Sequence, residues 1–421
     1  MLYKEFDAAT TPIEGRMLLE ASAGTGKTYS LMRVLLRLLV EKGIELDRIL
    51  VVTFTNAATD ELSSRLRSNL TELIEQIRLN KSGSFNDLLD SWGEKKYSQD
   101  IILEKLQTAL NKIDDAAIFT IHGFCQRILQ DFVFSSKGNY DFEIGDDSNA
   151  KDKALSTFLR TNLPKAYPGY PTEQLSLARD IPWEDILTTA AGLSRSKPLT
   201  RQMKLMKDSE HEPEEETNQF FNTFIDQATT LYEKNKKDER LFTFDDLLIE
   251  AEERIVKDPE FTKAIQNLYG AALIDEFQDT DPQQYRIFRR IWRQQPDTAL
   301  LLIGDPKQAI YAFRGADIHT YLAARAATAG RLYTLGRNFR STHAMVRAAN
   351  RCFQLAEEQD DGPGAFLFRS AAGNPVPFFP ADANGRKDAL QADGQPLAAL
   401  NIWRLPPPDN RSEEHTSELQ S

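Results

Sequence analysis

Short apolar runs alternate with longer amphipathic stretches along most of this chain. Met17-Leu18-Leu19 predicts a buried strand, and Tyr29 to Val40 predicts a helix stopping near Lys42-Gly43. Arg48 to Thr55 is apolar and β-branched, which predicts a second strand; a helix from Ala57 to Leu70 follows, capped by Asn56 or Thr59. Residues 71–116 are helical and polar in pattern, with a soft patch at Asn80 to Asn86. Ala116 to Cys125 is strand-like and breaks at His122-Gly123. From Leu129 to about Arg240 the pattern becomes long amphipathic helices, with an acidic loop at Asp208 to Thr217 that is expected to be a solvated linker. Strand patterns return at Ala271 to Glu276 and Ala299 to Ile303, and Ser341 to Glu358 is again helical. A glycine- and proline-rich region follows, with one strand candidate at Leu397 to Leu405. Strand and helix in alternation specify an α/β fold built on a parallel sheet, interrupted by a helical insertion.

Composition narrows the class. The chain has 421 residues, 41% hydrophobic and 27% charged, which suits a globular protein of roughly two to three domains. A net charge of -12 weighs against a protein that coats nucleic acid with its whole surface, but not against a motor that grips it in one groove. Cys125 and Cys352 lie far apart, and the five histidines form no metal pattern. Met1 to Ala9 lacks the apolar core of a signal peptide, and no apolar run is long enough to span a bilayer; a cytoplasmic location without membrane contact is expected.

The chemistry gathers after the predicted strands. Glu20-Ala21-Ser22-Ala23-Gly24-Thr25-Gly26-Lys27-Thr28 joins a strand to a helix, the layout of a phosphate-binding loop. Backbone N–H groups and the helix N-terminus attract the phosphates, and Gly24 and Gly26 allow close approach. Lys27 adds a point charge and Thr28 a hydroxyl for Mg²⁺. Ala21 stands where the usual pattern has its first glycine. The strand at residue 271 ends in Asp275, suited to Mg²⁺, and Glu276, suited to activating water. After the strand at residue 299 come Gln308, Tyr311, Phe313 and Arg314, an amide able to sense a γ-phosphate beside groups able to stack bases. Phe54 is either a core aromatic or a base platform, His122 either a structural residue or a phosphate contact. Arg340 is a cation able to stabilise a transferring phosphoryl group.

Together "EASAGTGKT", "VVTFTNAATDELSSRLRSNL", "FTIHGFCQRIL", "LIDEFQDTDPQQYRIFRRIW" and "LLIGDPKQAIYAFRGADI" resemble the UvrD/Rep-like superfamily 1 DNA helicases, and among them the RecB type of the exodeoxyribonuclease V complex. The similarity covers most of residues 15–345. It implies an ATP- and Mg²⁺-dependent motor moving 3′-to-5′ on single-stranded DNA in double-strand break repair, assembled with RecC- and RecD-like subunits. It also implies a RecA-like domain in two parts (1–128 and 241–340), a helical insertion (129–240) and the start of a second RecA-like domain (341–410). By the same resemblance Ala21, Ser22, Ala23, Gly24, Thr25, Gly26, Lys27 and Thr28 bind ATP. Thr28 and Asp275 hold the metal, and Glu276, Gln308 and Arg340 are catalytic. Phe54, Thr55, Asn56, His122, Tyr311, Phe313 and Arg314 line the DNA path. The adenine-recognising glutamine motif of many relatives is not evident in residues 1–19.

The family's closing second domain and RecB's nuclease domain are not evident, so the chain as written is expected to bind nucleotide weakly and to unwind nothing. Residues 411–421 share no texture with what precedes them and resemble a translated sequencing adapter, which suggests a truncated reading frame. Two alternatives stand beside the motor. One is a non-catalytic DNA-binding or scaffold subunit of the same fold, the other an AddA- or UvrD-type repair helicase.

Overall fold

A computed structural model describes residues 3–131, 143–157, 215–292, 298–310 and 317–403, the last apart from 329, 360–361, 372 and 386–390. Contacts divide the chain into two compact units, residues 1–120 with 266–421, and residues 121–265.

The first unit is organised by a seven-stranded sheet. Its strands are β1 (Lys4–Glu5), β2 (Gly15–Ala21), β3 (Ile49–Thr53), β4 (Ile118–Thr120), β7 (Ala271–Ile274), β8 (Ala299–Gly304) and β9 (Leu332–Leu335); β5 and β6 belong to the other unit. The spatial order is β1-β9-β2-β8-β7-β3-β4, and every pairing is parallel. Parallel strands covered on both faces read as unbroken apolar runs, as Ala271–Ile274 and Leu300–Ile303 do, and these residues are buried. Because all strands run the same way, their carboxyl ends lie along one edge, where ligands collect in such sheets. Glu20 at the end of β2 pairs with Gly304 at the end of β8 and with Thr334 in β9, which aligns the loops that follow.

Helix α1 (Lys27–Glu41) is buried from Ser30 to Val40 and begins where the glycine-bearing turn ends. Its two buried arginines tie neighbouring segments to it. Arg37 donates to the carbonyls of Ala8 and Thr11 at 3.2 and 2.7 Å and pairs with Glu41 at 2.8 Å, which anchors the N-terminal segment. Arg33 bonds Asp87 and the Ser84 carbonyl and lies over the rings of Tyr29 and Phe85.

Helix α2 (Asn56–Arg78) runs past the expected end at Leu70, because Leu73, Ile74 and Ile77 continue its buried stripe. Its cap is Thr55, whose hydroxyl accepts from the Ala58 N–H at 3.1 Å, rather than Asn56 or Thr59. Asn86–Glu94 (α3) and Gln99–Asn111 (α4) follow the soft patch, burying Trp92 and Leu106 in the same core.

Within the second unit, Ile121–Asp131 is a helix (α5), not the break expected at His122-Gly123. Ile121, Phe124, Cys125 and Ile128 are buried at helical spacing, so only Ile118–Thr120 is strand. Short strands β5 (Glu143–Ile144) and β6 (Leu241–Phe242) pair in parallel, and helix 148–157 packs on helix 215–239 through Ala150, Ala154 and Tyr232. Thr243 and Asp246 form a capping box on helix 244–257, and the same Asp246 carboxylate holds the buried Lys236 at 3.0 Å. Most of the expected insertion from Leu129 to Arg240, including residues 208–214 of the acidic stretch, lies outside the described residues.

Beyond the sheet, β10 (Arg337–Asn338) pairs with β11 (Asp382–Ala383), and His343–Glu357 is helical. The strand candidate at Leu397 to Leu405 is not a strand over its described part, 397–403. Leu397, Leu400, Ile402 and Trp403 stand exposed there, and an apolar run becomes a strand only where a neighbour pairs with it. Among the described residues no helix is long and apolar enough to cross a membrane.

Candidate nucleotide site

A cleft of about 1070 Å³ opens at the carboxyl edge of the sheet, lined from Ala23 to Ser30 and by Glu276, Gln308 and Arg340. Its floor is the turn between β2 and α1. Gly24 and Gly26 have φ of +77° and +100°, the left-handed conformation that glycine adopts without a Cβ penalty. Thr25 closes the turn by donating its hydroxyl to the Ser22 carbonyl at 2.7 Å. The segment after β9 clasps the turn from outside. The Phe339 N–H donates to the Gly24 carbonyl at 2.8 Å, and Asn338 Nδ2 to the Ala23 carbonyl at 3.0 Å. A Cβ on Gly24 would stand 2.7 Å from Arg340 Cβ, so the two segments approach as closely as glycine permits.

Lys27 Nζ reaches across the cleft to Glu276 Oε2 at 2.6 Å. Glu276 itself sits at φ +47°, a left-handed conformation uncommon outside glycine. Its backbone N–H donates to Asp275 Oδ1 at 2.9 Å, so strand β7 ends at Ile274 and the two acids form a tight turn instead of extending it. Burial, together with the charge of Glu276, pushes the Asp275 carboxyl up to about 6, against the pull of that N–H and of Lys27. Asp279, one turn on, is pushed up to about 6 by burial and by Glu276, with Lys27 again opposing.

Gln308 sits in the turn after β8, its Nε2 donating to Asp305 Oδ2 at 2.7 Å. Lys307 pairs with the other oxygen of Asp305 at 2.7 Å and lies 3.8 Å from Glu20. Glu20 is buried at the end of β2 beside the hydroxyls of Tyr3 and Tyr321 at 3.2 and 3.4 Å and Arg325 at 3.6 Å. Burial raises its pKa, while Lys307 and Arg325 act the other way.

Of the residues singled out in the sequence, Ala23, Gly24, Thr25, Gly26, Lys27, Thr28, Glu276, Gln308 and Arg340 share this cleft. Ala21 ends β2, Ser22 anchors the turn, and Asp275 lies directly behind Glu276. Phe54, Thr55 and Asn56 follow β3 at the same edge of the sheet but do not line the cleft. His122 belongs to the other unit, where its ring meets that of Phe244 edge-on at 5.4 Å. Tyr311, Phe313 and Arg314 lie outside the described residues.

The cleft is also lined by residues that motif reading missed: Glu5, Phe6, Asp7, Ala8, Tyr29, Arg65, Asp87, Arg337 and Phe339. The N-terminal four carried no local signal; buried Arg37, holding the Ala8 and Thr11 carbonyls, brings them there. Gln278 was also missed, although it stands two residues after Glu276.

The donor set fits a nucleotide triphosphate with a divalent cation. The turn would present backbone N–H groups and a cation to an anion, and Thr28 and Asp275 would supply the hard oxygens that Mg²⁺ takes. Among the described residues no cluster of three or more His, Cys, Asp or Glu forms a metal cage.

The family model of the UvrD/REP helicase N-terminal domain matches residues 2–328. The RecBCD enzyme subunit RecB of Escherichia coli (strain K12) is 33% identical, over 95% of this chain and 42% of that protein. RecB of Mycobacterium tuberculosis (strain ATCC 25618 / H37Rv) is 33% identical over 80% of the chain and 29% of its own length. For Haemophilus influenzae (strain ATCC 51907 / DSM 11121 / KW20 / Rd) the figures are 27%, 83% and 40%. The chain thus spans less than half the length of these curated relatives. A match over residues 2–328, on a parallel sheet whose edge carries the glycine-bearing turn and the paired acids, establishes that this chain belongs to the UvrD/REP helicase family.

Proposed function

We propose that the chain is the nucleotide-binding half of a RecB-like DNA motor, hydrolysing ATP to move 3′-to-5′ along single-stranded DNA during double-strand break repair. The observation that carries this reading is the Lys27–Glu276 contact at 2.6 Å inside a cleft shared with Gln308 and Arg340. A cation for the phosphates and a carboxylate for the water meet at one point, with a sensing amide and a second cation on the rim.

In this reading Lys27 and the N–H groups of residues 23–28 bind the phosphates, and nucleotide competes with Glu276 for Lys27. Glu276, released from the ion pair, accepts a proton from the attacking water. Arg340 lies against the phosphate turn, in place to offset charge on the transferring phosphoryl group. Mg²⁺, held through Thr28 and Asp275, would neutralise phosphate charge. Gln308 faces the γ-phosphate, and Phe54, Thr55, Asn56, His122, Tyr311, Phe313 and Arg314 contact DNA. The relatives are named as subunits of the RecBCD enzyme, which supports partnership with RecC- and RecD-like chains. The division into a split RecA-like domain, a helical insertion and the start of a second RecA-like domain belongs to the same proposal. A scaffold subunit has no need of Lys27, Asp275, Glu276, Gln308 and Arg340 together.

The test is nucleotide binding and hydrolysis by the chain, with and without single-stranded DNA, beside Lys27→Ala. We expect nucleotide binding that Lys27→Ala abolishes, and any turnover to rise with DNA. A folded chain that binds no nucleotide would refute the proposal.

A further inference from the structure

Gln278 is nearly inaccessible to solvent, 3% exposed, and each end of its side-chain amide is committed to a different strand end. Its Nε2 donates to Glu276 Oε2 at 2.8 Å, the same oxygen that Lys27 holds. Its Oε1 accepts from the Asp305 N–H at 2.9 Å, in the loop that follows β8. The orientation of the amide is forced, since a carboxylate here accepts and a backbone N–H only donates. Asp305 in turn carries both residues that follow Pro306: its Oδ2 accepts from Gln308, and its Oδ1 pairs with Lys307. An unbroken path of polar contacts therefore runs Lys27–Glu276–Gln278–Asp305–Gln308. The strand ends leave no slack around it. A Cβ on Gly304 would stand 2.7 Å from Gln278 Oε1 and 3.1 Å from its backbone nitrogen.

We propose that Gln278 is a positioning residue that couples the Glu276 carboxylate to the loop carrying Gln308, so that nucleotide taking Lys27 from Glu276 is felt at residues 305–310. The inference rests on the nucleotide reading of the cleft and adds to it the physical link between its two polar edges. While Lys27 holds Oε2, the Gln278 amide shares that oxygen with a cation. When nucleotide draws Lys27 away, Gln278 becomes the principal donor to the carboxylate and its bond shortens, pulling on Asp305 through its other end. A hydrogen bond to a charged group responds more strongly than one between neutral groups.

Hydrogen exchange of the intact chain, with and without a non-hydrolysable ATP analogue and Mg²⁺, tests this without needing turnover. In the wild type, the amides of residues 305 and 307–310 (Pro306 has none) are expected to exchange about tenfold more slowly once nucleotide binds. Gln278→Met keeps the length and removes both bonds; nucleotide should still bind and still protect residues 23–28, while protection at 305–310 is lost. Gln278→Glu retains an acceptor for the Asp305 N–H but sets a charge against Glu276, and it should lose the coupling as well. A merely structural role, pinning Asp305, would leave Gln278→Glu like the wild type. Gly304→Ala displaces the amide without altering its chemistry and should reproduce the Gln278→Met result, which covers the case where a Gln278 variant fails to fold. Nucleotide-dependent protection at 305–310 that survives in folded Gln278→Met or Gln278→Glu, or, where neither folds, in Gly304→Ala, or that is missing from a wild type that binds nucleotide, overturns the inference. A folded wild type that binds no nucleotide overturns the reading of the cleft itself.

Discussion

Asp279 shows how a single residue bears the cost of building this site. It is 8% exposed, its Oδ1 is buried without a hydrogen-bond partner among the described residues, and burial, joined by the charge of Glu276, raises its pKa to about 6. An ordinary unfolded aspartate titrates near 3.9. The folded state therefore holds the proton more tightly. Below about pH 4 the group is neutral in both states and costs nothing; between about 4 and 6 stability falls as pH rises; above 6 the full cost is present. Asp279→Asn is expected to stabilise the chain by on the order of 1–2 kcal/mol at pH 7.5 and by nothing measurable at about pH 3, read by urea denaturation at both values. The Asp-Glu pair at positions 275 and 276 was legible from sequence because two acids after an apolar strand are unusual. The contacts of Gln278 were not legible, because Glu276 and Asp305, which its amide joins, belong to strand ends far apart in the chain.

Helix α1 does more than present the phosphate turn. Its buried Arg37 satisfies two carbonyls of the N-terminal segment and pairs with Glu41, itself held by Lys95 and by the Trp92 indole. Removing one partner of a buried pair leaves the other uncompensated, so Arg37→Met should cost about 3 kcal/mol in denaturant titration. The same change should loosen residues 5–8 at the cleft, seen as faster proteolysis near the N-terminus than in the wild type. Helix existence and type were legible in α1 and α2 from their apolar spacing. The start of α5 was not: Ala116 to Cys125 read as strand-like with a break at His122-Gly123, because Ile121, Phe124 and Cys125 extend the apolar run, and only packing turned the stretch from Ile121 into a helix.

At the scale of the molecule, strand order decides what can fold alone. β2, which leads into the phosphate turn, lies between β8 and β9, whose residues come from beyond position 298. A chain ending at residue 265 would leave β2 with neither neighbour and its backbone groups unpaired. That truncation should lack amide protection at Met17–Leu19 and be poorly soluble, whereas those amides in the full chain should be among the slowest to exchange. What the sequence determined by itself was local: the parallel α/β class, the glycine-bearing turn between β2 and α1, the acids after β7 and the glutamine after β8. These follow from residue types at short spacings, where backbone geometry and hydrophobic burial act over a few positions. Only the tertiary structure decided which strand ends stand side by side, that Phe6 and Arg65 face the cleft, and that one buried glutamine joins Glu276 to Asp305. Those contacts depend on hydrogen-bond register between strands distant in the chain, and nothing within a short window of sequence encodes it.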